Sequence, residues 1–424
     1  MPLEIFVAVS FHDGMQIYNL KFPIKPDEQN PTMPNVLILS GRAPVALDHA
    51  RRFAQQGWTA YIGDSIACRL SSWSRAVAGT VKLAPPRSDP AGFIADLRQT
   101  ITRLGIDLVV PTCEEVFYLS RYRTALPTTC RLAVDEFDKL RLLHSKWDFQ
   151  ALAQRCGGNP PPSAVVYTLD EARDWVRATS DGSGEAGVVL KPEFSRFGVY
   201  VRLYPQGIPD NAPPLVAQGR WVVQRHRAGT ELCSYSIADR GRLLAHAVYR
   251  PAYRLPRSSS YYFDHHISPA IHAFVSRLVA QIDFTGQISF DWIDAGDDTP
   301  SVIECNPRAI SGLHLFGLAD AVPAALTGEA LNCAMPTATR ARMIAPIMLS
   351  TGLAQAINSG ALSKWRADWC RADDVLTRDG DALPCAGGLV DVGSYARLAI
   401  LRGSTLREAT SRDLEWDGEE LAAL

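Results

Sequence analysis

Several marks of common functions are missing from this sequence. Its 9 cysteines contain no CxxC pair and no short ligand-like spacing, which speaks against a structural zinc site and against a disulfide scaffold. Most of them, such as Cys113 and Cys305, sit in apolar stretches and read as small core residues. The turn after the first apolar strand is Ser40-Gly41-Arg42-Ala43-Pro44. It lacks G-x-G-x-x-G, so a dinucleotide site and a Rossmann-type oxidoreductase are poorly supported. No apolar run is long enough to cross a bilayer. Met1–Ser10 carries Glu4 and has neither a basic n-region nor an A-x-A site, unlike a secretory signal. The formal net charge of -2 offers no broad attraction to nucleic acid or anionic membrane. No Ser–His–Asp or Cys–His nucleophile signature, internal repeat, biotin-carrier signal or glutamine-amidotransferase region is evident. A chain of the reducing cytoplasm is the expectation.

What is present is ordinary in bulk and specific in detail. At 424 residues, 47% hydrophobic and 21% charged, the chain is expected to fold as two or three domains. Two apolar stretches around His12-Asp13-Gly14 predict a hairpin, and Pro23–Pro34 a linker, so residues 1–34 form an extension. From Asn35 strands and helices alternate: Val36–Leu39, the helix Pro44–Gln56, Thr59–Ile62, the helix Pro90–Leu104, and Asp107–Val110. Such alternation predicts a small parallel-sheet α/β domain over 35–126. Residues 127–323 alternate less regularly, with a lid subdomain expected at about 145–226, and 324–424 read as mixed and mostly helical.

The chemistry gathers on one predicted hairpin. Gln287–Ile293 and Ser301–Asn306 both alternate as strands, joined by the polar Asp294–Pro300. Symmetric closure pairs 293 with 302 and 291 with 304, so Asp291 and Glu304 face each other. Like charges directly opposite are destabilising and require solvent, a proton or a cation between them. Asn306 projects to the same face and adds a neutral oxygen. That set suits a hard divalent cation which keeps water and phosphate oxygens in its shell. An acidic solvent-facing hairpin is the plainer alternative. The opposite face is expected to be apolar: Ile288, Phe290 and Trp292 against Ile303 and Cys305.

Other segments are weaker alone. Lys191 ends an apolar run before Pro192 and the turn Ser195-Arg196-Phe197-Gly198, where it could meet phosphate or simply snorkel. Lys146 sits at a helix start, with a solvated helix face as the alternative. Trp221–His226 runs from strand into loop, and Glu231 opens the next strand. Arg250, Tyr253, Arg254, Arg257 and Tyr261-Tyr262 form a basic, aromatic loop that could read a carboxylate. Ser311 and Gly312 follow the hairpin and could border an acyl site. His265 and His266 read as surface residues and His314 as a packed one.

In order along the chain, these motifs resemble the ATP-grasp superfamily. They are Leu143-His144-Ser145-Lys146, Val189-Leu190-Lys191-Pro192, Gln224 to Glu231, and Ile303-Glu304-Cys305-Asn306-Pro307-Arg308. The resemblance covers Asn35–Pro323 and implies an α/β (α+β in its larger part) ATP-grasp fold preceded by a small parallel-sheet domain. It implies that Lys146 and Lys191 contact ATP phosphates, helped by the Ser195–Gly198 turn. By the same resemblance Gln224, Arg225 and His226 grip adenine through backbone groups and Glu231 binds the ribose. Asp291, Glu304 and Asn306 then hold Mg2+ (or Mn2+), and Arg308 lies with Lys191 near the transferring phosphate. Ser289 and Asn306-Pro307-Arg308 depart from the D-alanine ligase pattern and look more like the carbamoyl-phosphate-synthetase-type and amino-acid-ligase branches. The implied activity activates a small-molecule carboxylate as an acylphosphate and joins it to an amine. A carboxylase or carboxylate kinase of the same fold, or a non-catalytic nucleotide-binding module, stays open, as does a homodimer.

Overall fold

The computed structural model describes residues 3–11, 14–22, 33–67, 69–179, 187–195, 200–215, 219–255, 260–296, 299–337 and 340–424; for 3–11, 14–22 and Arg407 it describes the backbone alone. Leu3–Phe11 (β1) and Gly14–Phe22 (β2) pair as an antiparallel hairpin. The next strands are Asn35–Leu39 (β3), Thr59–Asp64 (β4), Val77–Lys82 (β5), Leu108–Val110 (β6) and Arg131–Leu132 (β7). They form a parallel sheet in the order β5-β4-β3-β6-β7. β3 and β6 are the unbroken apolar runs of a sheet buried on both faces. β5 and β7 were not anticipated, because one alternates around Gly79 and the other has two residues.

The helices have local causes. Pro44 takes the first turn of Pro44–Gln55 (α1), where no backbone donor is needed. Pro90–Leu104 (α2) starts on Asp89, which accepts from the Gly92 N–H, and stops at left-handed Gly105. Glu115–Arg121 (α3) follows β6, and Phe137–His144 (α4) and Asp148–Arg155 (α5) lead into the second half.

There Ser163–Val166 (β8), Val188–Pro192 (β9), Arg202–Tyr204 (β10) and Trp221–Arg225 (β11) make an antiparallel sheet in the order β10-β9-β11-β8. Leu169–Ala178 (α6) closes its small core of Val166, Ala172, Val188, Leu190, Trp221 and Val223. A larger sheet runs β16-β15-β12-β13-β14-β17-β18. Its strands are Thr230–Asp239 (β12), Arg242–Arg254 (β13), Ser260–His266 (β14), Gly286–Asp294 (β15), Ser301–Asn306 (β16), Ala341–Met343 (β17) and Ala372–Asp374 (β18). The region expected to be mostly helical thus also donates two strands. Among the described residues no helix is long and apolar enough to cross a membrane.

Alternation divides the large sheet into two working faces. One buries Leu232, Val248, Ile288, Phe290 and Trp292 under Pro269–Gln281 (α7), in a core continuous with the first domain. The other carries Cys233, Tyr235, Ala247, Tyr249 and Phe263 beneath Leu313, Leu315 and Phe316. Trp292 stands edge-on to Phe274 with ring centroids 5.1 Å apart and donates its indole N–H to Ser234 Oγ at 2.9 Å. Trp292→Ala should therefore cost about 3–5 kcal/mol, read as a lower urea midpoint for the transition of this half.

Candidate active site

Asp291 and Glu304 are direct partners across β15 and β16, with Ser289 opposite Asn306. Beyond Asp291 the register slips by one, so Trp292 meets Val302 and Ile293 meets Ser301 rather than 302. Ile303 is the extra residue of this bulge. Without it, Val302 would share the acidic face with Glu304; the bulge turns Val302 into the core opposite Trp292. Val302 and Cys305, not Ile303, are therefore the apolar side of β16. Across the sheet the acidic row continues as Glu304–Asp291–Cys233–Tyr249, and the row beside it as Asn306–Ser289–Tyr235–Ala247.

Two buried ammonium groups face this row. Lys146 lies in the junction between α4 and α5, not on a solvated helix face, and is 3% exposed. Its Nζ donates to the Ser195 carbonyl at 2.7 Å and stands 3.9 Å from Glu304 Oε2. Lys191, 2% exposed on β9, donates to Gln224 Oε1 at 3.0 Å and to the carbonyl of bulged Ile303 at 3.4 Å. Burial lowers both lysines, and the Lys146 charge helps bring Lys191 down to about 8. For Glu304 burial acts upward, but Lys146 and Lys191 outweigh it and hold the carboxyl below its ordinary range. Asp291 moves the other way: burial, then the charge of Glu304 and the hydrogen bond to it, push it up to about 7. The facing pair therefore keeps one proton near neutrality.

Past Asn306 the chain reaches the first domain. Arg308 donates from Nη2 to Asn306 Oδ1 at 3.3 Å, and its Nε stands 3.8 Å from Glu114 Oε1. Ser289 Oγ donates to the Arg308 carbonyl at 2.7 Å. Glu114 lies just beyond β6, next to β3, where the strand order reverses and parallel sheets open a crevice. Gly312 packs so closely on Tyr235 that a Cβ would fall 2.5 Å from that residue's Cβ. Ser311 opens the short turn Ser311–Leu315 beside it.

Other expected residues behave differently. The Gln224 side chain, held by Ser163 and Lys191, organises the lysine. The N–H groups of Arg225 and His226 are already given to the Pro162 and Gly187 carbonyls at 2.9 Å each, so neither donor is free for a base. The Arg225 guanidinium lies 5.4 Å from the centroid of the Trp175 ring of α6. Ser195 supplies its carbonyl to Lys146. Glu231 and Arg254 form an ion pair on the site side of the sheet. Arg250 does not reach the site: one residue from Tyr249, it alternates to the opposite face, across from Asp264. Gly198, Arg196, Phe197 and Arg257 lie outside the described residues.

Two residues with structural weight were not expected. Glu193 takes Ser145 Oγ at 2.6 Å and Arg220 at 2.6 and 2.7 Å, fastening the loop after Lys191. Glu114 holds Arg308. Their only sequence signal is position: an acid two residues past a strand-end lysine, and an acid just past a parallel strand.

No cluster of three or more His, Cys, Asp or Glu side chains suited to a metal occurs among the described residues. The donor set is Asp291, Glu304 and Asn306, fewer oxygens than an octahedral cation needs, so it fits a cation that brings phosphate and water ligands with it. The shared proton has a consequence for stability. An aspartate raised from its ordinary value near 4 to about 7 binds a proton in the folded state that the unfolded chain has lost. Stability then falls as pH rises through that window. Asp291→Asn should raise the Tm of metal-free protein at pH 8 and change it much less at pH 5.

No family model and no curated protein matches this sequence. Solved structures do match. N5-carboxyaminoimidazole synthetase from Staphylococcus aureus superposes with a TM-score of 0.53 at 12% identity, over 73% of this chain and 80% of that one. An L-amino acid ligase from Bacillus licheniformis gives 0.50 at 16% identity, over 71% and 77%. Biotin carboxylase from Campylobacter jejuni gives 0.53 at 13% identity, over 70% and 71%. At these identities the likeness establishes a common architecture, and the fold of this chain is the ATP-grasp fold.

Proposed function

We propose that this protein is an ATP-dependent ligase that activates a carboxylate as an acylphosphate and transfers the acyl group to an amine. The observation that carries this is the convergence of two facing carboxylates, Asp291 and Glu304, with the buried Lys146 and Lys191 and with Arg308 beyond Asn306. A polyphosphate with its cation satisfies both halves of that arrangement at once. The similar synthetase from Staphylococcus aureus has also been solved with ADP, and a similar biotin carboxylase domain with MgADP and bicarbonate.

On this reading Asp291, Glu304 and Asn306 hold Mg2+ or Mn2+, which when bound offsets charge on the phosphates. Lys146 and Lys191 bind phosphate oxygens as point charges in a dry cleft. The lid strands β9 and β11 cover the nucleotide, with Glu231 toward the ribose. The substrate carboxylate attacks the γ-phosphorus while the bond to the ADP oxygen breaks, and Arg308 steadies the charge on the transferring group. The amine then attacks the acyl carbon, phosphate leaves, and the amine gives up a proton. Ser311 and Gly312 border the acyl group. The partner of Glu231, Arg254, is the arginine of that segment that, among the described residues, stands on the site side for recognition of the acid. The likeness to a biotin carboxylase favours a second reading, with bicarbonate as the acid.

The direct test is ADP release across a panel of amino acids and other carboxylates, with hydroxylamine to trap an acylphosphate. Acid-dependent ADP and a hydroxamate are expected; ADP release driven by bicarbonate alone selects the second reading, and none with any acid rejects both. Glu304→Ala should abolish turnover with the fold intact by circular dichroism. Lys191 predicts a pH dependence as well. Because phosphate favours its protonated form, MgADP affinity should fall as pH rises through about 8. Lys191→Met should bind more weakly and lose that slope.

A further inference from the structure

The end of the chain returns to this site. After the helix Leu406–Ser411, Asp413 binds Arg42 through two hydrogen bonds of 2.7 and 2.8 Å. Trp416, 2% exposed, then enters an aromatic cage. Its ring centroid is 4.7 Å from Phe117, 5.2 Å from Phe194, 5.4 Å from Phe137 and 6.1 Å from His144. The indole N–H donates to the Glu419 carbonyl at 2.9 Å, closing a turn at Gly418. That glycine has φ of 88°, and a Cβ on it would fall 2.3 Å from the Phe194 ring. The carbonyls of Glu415 and Ala422 accept from the hydroxyls of Tyr118 and Tyr122 at 2.8 and 2.9 Å.

The cage is made from parts of the site. His144 is two residues before Lys146. Phe194 lies between Glu193 and Ser195, whose carbonyls accept from the Lys146 backbone N–H at 3.2 Å and its Nζ at 2.7 Å. The Trp416 backbone N–H donates to Glu114 Oε2 at 3.2 Å, while the other oxygen of that carboxylate faces Arg308. One short segment therefore touches both the loop that seats Lys146 and the acid that seats Arg308.

We propose that residues 413–422 are a positioning element of the active site, anchored by Trp416, whose docking sets the affinity for a nucleoside polyphosphate. Trp416 touches no substrate. Its ring fixes Phe194, and through it the Ser195 carbonyl that aims Lys146, and its backbone N–H, kept in place by that docking, holds Glu114 against Arg308. The inference rests on the reading of the cleft as a nucleotide site. Coupling of this kind is reciprocal, so bound nucleotide must stabilise the docked tail to the same degree.

The test uses residues 1–424: MgADP binding by calorimetry, with amide hydrogen exchange over 413–422. Trp416→Ala should weaken MgADP binding by about tenfold or more, within the usual range of coupling between sites. Trp416→Phe should stay near the wild type, and saturating MgADP should slow exchange in the wild-type tail. Should Trp416→Ala fail to fold, Gly418→Val carries the test, because it drives a side chain into Phe194 from a half-exposed position and leaves Trp416 in place. A folded Gly418→Val protein with wild-type affinity, or tail exchange indifferent to MgADP, overturns the proposal. Wild-type protein that binds no MgADP overturns the nucleotide reading itself, and this inference with it.

Discussion

Asp291 and Glu304 are held face to face by the ladder between β15 and β16. Two unit charges about 4 Å apart in a protein repel by about 4 kcal/mol at an effective dielectric near 20, against about 1 kcal/mol or less for a favourable cross-strand pair. The pairing is therefore enforced from the other face. Phe290, Trp292, Val302 and Cys305 are buried under α7 and α5, and full burial of one large apolar side chain is worth about 1.5–3 kcal/mol. Slipping β16 by one residue would expose that set and bury the acids, so the hydrophobic side fixes the electrostatic side. The bulge at Ile303 belongs to the same constraint. It lets Val302 join the core without moving Glu304 out of line, and it turns a carbonyl toward Lys191.

That carbonyl links two sheets. Lys191 stands on β9 of the small sheet and reaches Ile303 in the large one, while Lys146 reaches back from the α4–α5 junction to the loop after β9. Both ammonium groups are buried where charge is costly. What keeps them charged is the acidic row across from them, and they keep Glu304 ionised in return. The small sheet has only a modest apolar core of its own, so these polar bridges set its placement over the large sheet. Glu193, bound by Ser145 and Arg220, stiffens the same crossing.

Much of this was legible in the sequence where a pattern is local. Val36–Leu39 and Leu108–Val110 announce a buried parallel sheet by composition, and the order of lysines, acids and Asn306-Pro307-Arg308 announces the fold. Loop length and alternation predict the facing of Asp291 and Glu304, and the structure has that pair but shifts register one residue away. A bulge shifts register at a single residue, and nothing in Val302-Ile303 says which one enters the core. Side-chain direction was lost for the same kind of reason: Arg250 lies in a plausible segment, but strand phase sends it to the far face of the sheet. β17 and β18 are three residues each, too short to carry a period, and exist because β14 offers an edge. Trp416 gave a lone aromatic in an acidic tail, whose destination depends on partners some 220 to 300 residues earlier.

The charge inventory explains why the site resembles no resident metal centre. Lys146, Lys191 and Arg308 are met by Glu304, Glu114 and an Asp291 that holds its proton near neutrality. Three basic groups thus face two acids besides the protonated Asp291, so the cleft is already in positive excess, and a divalent ion alone would have to displace that proton and compete with two buried ammonium groups. A polyphosphate alone would meet the lysines but also the acids. On the proposed reading the ion and the polyphosphate would arrive together: Lys146 and Lys191 would meet the phosphates, and Asp291 and Glu304 would hold the ion, which would supply the positive charge that a proton supplies without it. Each charge then exchanges one partner for another, and none is left buried without one.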